Sequence, residues 1–231
     1  MTTVLITGAN RGLGLEFCKQ YAEDGWRVIA CCRQPEQASA LLELARQYPV
    51  VQIEGLDVAE FTQIDALARK LSDRSIDVLI NNAGVYGDTP ANRFGHLDYQ
   101  AWSQTLRVNT LSPVKMAEAF LSQLKASDTK LIVNISSLMG SMTDNNSGGS
   151  ILYRSSKAAL NAAMKSLALD LEPQSVGVLI FHPGWVKTDM GGPNALVDAC
   201  DSISGMRDVI AKFSLDQSGC FVKYDGSTMP W

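Results

Sequence analysis

Thr7-Gly8-Ala9-Asn10-Arg11-Gly12-Leu13-Gly14 links an apolar, β-branched run at residues 3–7 to a helical stretch at 13–24. Gly8 can turn the chain sharply, Gly12 lets backbone approach a pyrophosphate, and Gly14 permits close packing of helix on strand. Free N–H groups at the helix start, with the helix dipole, favour an anion. The spacing is G-x3-G-x-G, and no Gly-Lys-Ser/Thr follows, which excludes a Walker A loop. A glycine-rich turn that only packs is the competing reading. The position between a first strand and a first helix favours nucleotide binding.

Outward from this loop, strand-like runs at 3–7, 27–32, 50–56, 76–80, 130–136, 176–182 and 220–223 alternate with helical stretches at 13–24, 36–47, 60–72, 99–125, 152–171 and 205–213. The strands are short and apolar on both faces, as in a buried parallel sheet. The alternation predicts an α/β fold: one doubly wound, Rossmann-type domain over 1–231 with a seven-stranded parallel sheet flanked by helices. Right-handed crossovers place a ligand crevice at the carboxyl ends of the strands. Loops at 84–97, 137–151 and 183–204 follow strands and fall on that edge, the last as a substrate loop.

Composition narrows the function. With 46% hydrophobic and 19% charged residues the chain can bury a core rather than stay disordered. A net charge of −4 argues against nucleic acid as a partner. No apolar run approaches the ~18 residues of a membrane span. Met1-Thr2-Thr3 leads straight into a strand, with no room for a secretory signal. Cys18, Cys31, Cys32, Cys200 and Cys220 form no CxxC pair, and His96 and His182 are the sole histidines. No disulfide framework and no metal site is expected, and a reduced cytoplasmic protein is the default.

Tyr153-Arg154-Ser155-Ser156-Lys157 opens a helical stretch. Residues i and i+4 share a helix face, so the phenol and the ammonium point the same way. A nearby ammonium should lower a phenol pKa of ~10, and a drop of about 2 units needs roughly 2.7 kcal/mol. Val133-Asn134-Ile135-Ser136-Ser137 ends the preceding strand and supplies hydroxyls that can orient a carbonyl. Pro113, four residues after Asn109, has no N–H for the Asn109 carbonyl, so the helix should kink there and leave that carbonyl for a water.

The glycine loop with these motifs resembles the short-chain dehydrogenase/reductase family over residues 3–190, and within it the carbonyl-reductase and C-factor-like members. The resemblance implies a catalytic set of Asn109, Ser137, Tyr153 and Lys157. Residues 144–149 look like an insertion between Ser137 and Tyr153. Cofactor contacts are implied at Gly8, Asn10, Arg11, Gly12, Leu13 and Gly14, at Tyr153 and Lys157, and at Asn82, Ala83 and Gly84 of Asn81-Asn82-Ala83-Gly84. The segment Pro183-Gly184-Trp185-Val186-Lys187-Thr188 adds Pro183, Gly184, Val186 and Thr188. Asp57-Val58 resembles the adenine-contacting pair, with a helix N-cap before Glu60 as the equal alternative for Asp57. The second strand ends Ala30-Cys31-Cys32-Arg33 without an acid for a ribose hydroxyl, and Arg11 and Arg33 can hold a 2′-phosphate. The expected cofactor is therefore NADP(H).

The expected activity is hydride reduction of an aldehyde or ketone with proton donation by Tyr153. Leu138, Met139, Tyr86, Trp185 and Met190 are candidates for an apolar substrate pocket. His182 reads as packed rather than catalytic. The alternative is a non-catalytic dinucleotide-binding regulator or signalling protein on the same fold. Ala158, Ala159, Ala162 and Ala163 permit close helix approach, and the resemblance implies a homodimer or homotetramer through the long central helices.

Overall fold

The structure, a computed structural model, describes residues 1–91 and 93–231. Asn92, within the loop expected at 84–97, lies outside the described residues. Seven strands, β1 (Thr3–Thr7), β2 (Arg27–Cys32), β3 (Val51–Gly55), β4 (Val78–Asn81), β5 (Leu131–Ile135), β6 (Gly177–His182) and β7 (Cys220–Lys223), form one sheet in the order β3-β2-β1-β4-β5-β6-β7. Every neighbouring pair is parallel. The strand order reverses between β1 and β4, the switch point at which doubly wound sheets open a ligand crevice. The expected seven-stranded α/β fold is the one that forms.

The helices are α1 (Gly12–Glu23), α2 (Ser39–Gln47), α3 (Phe61–Lys70), α4 (Tyr99–Leu106), α5 (Ser112–Lys125), α6 (Ile151–Leu171) and α7 (Ala199–Ala211). Successive strand residues point to opposite faces, so each strand feeds two cores. Val4 and Ile6 join Phe17, Tyr21, Leu41, Ile203 and Met206 beneath α1, α2 and α7. Leu5 joins Ile64, Met116, Phe120, Leu160 and Met164 beneath α3, α5 and α6. Each such side chain, fully buried, contributes roughly 1.5–3 kcal/mol.

Four differences from the sequence reading have local causes. The helix expected at 36–47 is a short 3-10 turn at Pro35–Gln37 followed by α2, because Ala38 leaves helical geometry at φ −86°, ψ 62°. The helix expected at 99–125 is broken by one π turn, Arg107–Leu111. Lys130 takes φ 51°, outside strand geometry, so β5 begins one residue later than expected. The last helix begins at Ala199 rather than Gly205, which shortens the loop after β6 to 183–198. Gly205 is a packing position: a Cβ there would stand 2.7 Å from the Tyr224 carbonyl oxygen.

Beyond β7 the chain folds back on itself. Lys223 donates its N–H to Ser227 O (2.8 Å) and Met229 donates to Phe221 O (2.9 Å), forming an antiparallel bridge between Val222 and Thr228. Trp231 packs on Phe221, and its carbonyl accepts from Thr143 N (2.9 Å) and Ser141 Oγ (3.0 Å). Among the described residues no helix is long and apolar enough to cross a membrane.

Candidate active site

The glycine loop lies at the carboxyl end of β1, and the Asn81–Gly84 motif leaves β4 beside it. Asn82 Nδ2 donates to Thr7 O (2.9 Å) and Gly8 O (3.1 Å), and the Thr7 hydroxyl accepts from Asn82 N and Ala83 N. Asn82 therefore braces the loop. Asn81 Nδ2 donates to Asn134 Oδ1 (2.9 Å), and Asn134 Nδ2 to Leu179 O (3.3 Å), a buried polar chain across β4, β5 and β6.

The loop fits a dinucleotide pyrophosphate. Gly8 and Gly12 take φ +66° and +54°, and a Cβ at Gly14 would collide with Gly8 O. Arg11 begins α1 with no side-chain cap, and no acid stands in the first turn. The first-turn N–H groups thus keep their need for an acceptor. At the end of β2, Cys31 and Cys32 are buried, with their thiols pushed up by burial, and Arg33 is exposed. Glu54 on the adjoining strand is held by Lys70 (2.7 Å).

Arg11 also pairs with Asp189 (2.6 Å), which joins the glycine loop to the segment after β6. Thr188 Cγ2 lies 3.4 Å from the position of a Cβ on Gly12. Thr188 Oγ1 accepts from Gly191 N (3.2 Å), and Val186 bridges to Val197, so Val186 and Thr188 sit in an ordered loop facing the glycines. Trp185 donates its indole N–H to Gly191 O (2.8 Å). Asp57 makes an Asx turn onto Ala59 N (2.9 Å), while Glu60 occupies the N-cap of α3 without a side-chain bond. The capping alternative for Asp57 is not realised.

Ser137, Tyr153, Lys157 and Asn109 come together on this same edge. The Ser137 Oγ accepts from Met139 N (3.1 Å), and Ser137 is near enough to the Tyr153 phenol to oppose the upward shift of its pKa. Lys157 is buried and donates Nζ to Ile135 O (2.8 Å), 5.8 Å from the centre of the Tyr153 ring. A Cβ on Gly84 would sit 3.4 Å from Asn109 Oδ1 and 3.6 Å from Lys157 Nζ, so both groups flank that glycine. Asn109 lies at the centre of the π turn, where Ser112 N reaches back to Arg107 O. Its side chain holds Val85 at both polar atoms (2.9 and 2.8 Å) and donates to Ser156 Oγ (2.9 Å).

One expectation is reversed. Burial pushes the Tyr153 phenol up to about 12, with Tyr86 adding to it and Ser137 opposing it. Burial also draws Lys157 down to about 8. Loss of water around each group is the main cause of both shifts.

The sequence reading missed two supporting residues, Gly140 and Asp88, and the role of a third, His182, which it read only as packed. His182 Nδ1 accepts from Leu138 N (3.2 Å) and so fixes the turn that carries Ser137. Burial, then the Lys223 ammonium, hold this imidazole near 4, in the neutral form an acceptor requires. Gly140 lets the same turn lie on Lys157, since a Cβ there would stand 2.9 Å from Lys157 Cβ. Asp88 binds the first turn of α6, accepting from Tyr153 N (2.8 Å) and Leu152 N (3.3 Å). A histidine before a strand-end proline was a readable signal; Asp88 had none, because no spacing ties residue 88 to 153.

Comparison with known proteins agrees with this geometry. Residues 2–196 match the short chain dehydrogenase family. The C-signal of Myxococcus xanthus is 42% identical over 166 residues, 72% of this chain and 99% of that protein. The carbonyl reductase Sniffer of D. melanogaster superposes with a TM-score of 0.92 at 38% identity, covering 100% of both chains. The NADPH-bound carbonyl reductase from chicken fatty liver gives 0.92 at 34% identity, covering 100% of this chain and 99% of that one.

Proposed function

The chain belongs to the short-chain dehydrogenase family, and we propose that it is an NADPH-dependent reductase converting an aldehyde or ketone to an alcohol. The observation that carries this reading is the Lys157 ammonium set beside Gly84 and 5.8 Å from the Tyr153 ring centre, bonded to Ile135 O two residues before Ser137, on the same edge as the uncapped glycine loop. NADPH, held by the glycine loop, Arg11, Arg33, Asn82–Gly84 and the 183–188 segment, supplies the hydride when bound. Similarity to the NADPH-bound reductase and the absence of an acid at the end of β2 support that cofactor.

Ser137 receives a backbone N–H on its oxygen, which fixes the hydroxyl, and a substrate carbonyl oxygen entering beside Tyr153 would take its proton. Tyr153 is a neutral phenol at pH 7 and serves as proton donor. The Lys157 ammonium offsets the negative charge left on the phenol oxygen. The Asn109 carbonyl, without a proline N–H to accept, holds the water that returns the proton. Consumption of NADPH with a panel of aldehydes, ketones and quinones tests the assignment. Tyr153→Phe should abolish turnover while NADPH affinity stays within about twofold, since the phenol acts on charge formed only in the transition state. Retained turnover in that variant removes the assignment.

The C-signal relative favours a second reading, a dinucleotide-binding regulator. On that reading this chain would show NADPH-dependent thermal stabilisation and no turnover with any carbonyl.

A further inference from the structure

α6 starts at an awkward place. Ser150, at its N-cap, takes left-handed geometry (φ 45°, ψ 45°) and gives no side-chain cap; its hydroxyl pairs with Tyr86 OH (2.8 Å). The first turn carries Tyr153, and its N–H groups need acceptors. Those acceptors come from another segment: both carboxylate oxygens of Asp88 are used, one by Leu152 N and one by Tyr153 N. Asp88 is brought there by a short built path. Asn109 clamps Val85 through both N–H and C=O, and Tyr86 packs against Tyr153 with tilted rings, centroids 4.9 Å apart. Gly87 turns at φ +77° where a Cβ would collide with the Thr105 side chain, and Asp88 follows.

We propose that Asp88 is a positioning residue: by capping α6 from the loop after β4, it sets the depth and direction of the Tyr153 phenol against Ser137. This rests on the reading of Tyr153 as proton donor. Asp88 acts through backbone, so it touches neither carbonyl nor dinucleotide. The same loop begins at Asn82–Gly84, so one continuous segment spans the dinucleotide side of the site and the proton-donor side. An aspartate contributes charge complementarity to the helix dipole as well as two acceptors. Replacement of the acid should therefore cost turnover more than dinucleotide binding.

The test uses the full chain with NADPH bound. Amide hydrogen exchange at Leu152 and Tyr153 is measured for wild type, Asp88→Ala and Asp88→Asn, with kcat, KM and the pH profile of kcat for an accepted carbonyl. In Asp88→Ala both amides should exchange faster, and kcat should fall about fivefold or more as the phenol loses its position. NADPH affinity should stay within about twofold of wild type. The basic limb of the pH profile should move as the phenol shifts relative to Ser137 and Lys157. Asp88→Asn keeps one acceptor and should recover most of kcat, with Leu152 exchanging faster than Tyr153. Unchanged exchange or unchanged kcat in Asp88→Ala overturns the proposal, as does an equal fall in kcat and NADPH affinity without rescue by Asn. If Asp88→Ala does not fold, the selective change at Leu152 in Asp88→Asn decides, and its absence is the negative result. If wild type itself turns over no carbonyl, the reductase reading fails, while the exchange data still uphold or overturn the cap.

Discussion

A phenol and an ammonium buried side by side feel two opposed forces: each favours the other's charge, and loss of water disfavours both. Here the second wins, leaving Tyr153 near 12 and Lys157 near 8. At pH 7 the pair therefore stands as neutral phenol and charged lysine, the state that reduction needs. As pH rises through about 8, Lys157 loses its proton and, on the proposed mechanism, the charge that would steady the phenol oxygen after proton donation. For the reductase reading, kcat/KM for the carbonyl should be level below about 8 and decline above it, and Lys157→Arg should carry the decline to higher pH because a guanidinium stays charged. A wild-type profile level to pH 10 would mean that the charge of Lys157 is not used. The Tyr153–Lys157 pair was legible in the sequence because four residues of helix fix the geometry locally. The direction of the Tyr153 shift was not, since burial is a property of what packs around the pair, including Tyr86 from a distant loop.

The helix between Tyr99 and Lys125 shows how one imino acid shapes an element. Pro113 has no N–H to donate, and the chain absorbs the missing bond as a π turn centred on Asn109 rather than as a simple bend. The Ser112 hydroxyl stands 2.7 Å from both Arg107 O and Val58 O and shares its one proton between them. The extra residue in the turn directs Asn109 at Val85 and Ser156. Pro113→Ala restores a donor and lets the turn relax to α geometry. It should lower kcat without lowering the melting temperature, whereas a purely architectural proline would leave kcat alone. The interruption was readable from the Asn109–Pro113 spacing; its π form was not, because the choice between kink and bulge depends on what the carbonyls meet. The early start of α7 was hidden for a different reason. Gly205 looks like punctuation in sequence, yet it is small because Tyr224 lies against it.

At the scale of the whole molecule, the sheet order places loops that are far apart in sequence along one edge, and that part followed from strand–helix alternation alone. What alternation does not encode is how those loops lock together. His182 is one such lock, and it links the site to overall stability. Its folded value near 4 lies below the ordinary 6.5, so its contribution is complete above about 6.5 and is lost as pH falls toward 4. By pH 4 the loss should approach roughly 3 kcal/mol. Urea denaturation at pH 7 and pH 4 should show this extra acid loss in wild type and not in His182→Phe; equal losses in both would free His182 of the role. The Arg11–Asp189 pair is another lock, exposed on both sides and for that reason worth little to stability.

The returning segment after β7 carries a double duty. A rim strand offers unpaired amides and carbonyls to any passing chain. Here Ser227 and Met229 occupy those groups on β7, and the Trp231 carbonyl anchors residues 141 and 143. Trimming the polypeptide after Tyr224 would uncover a template for intermolecular β-pairing and, in the same cut, unfasten residues 141 and 143 of the loop that follows Ser137.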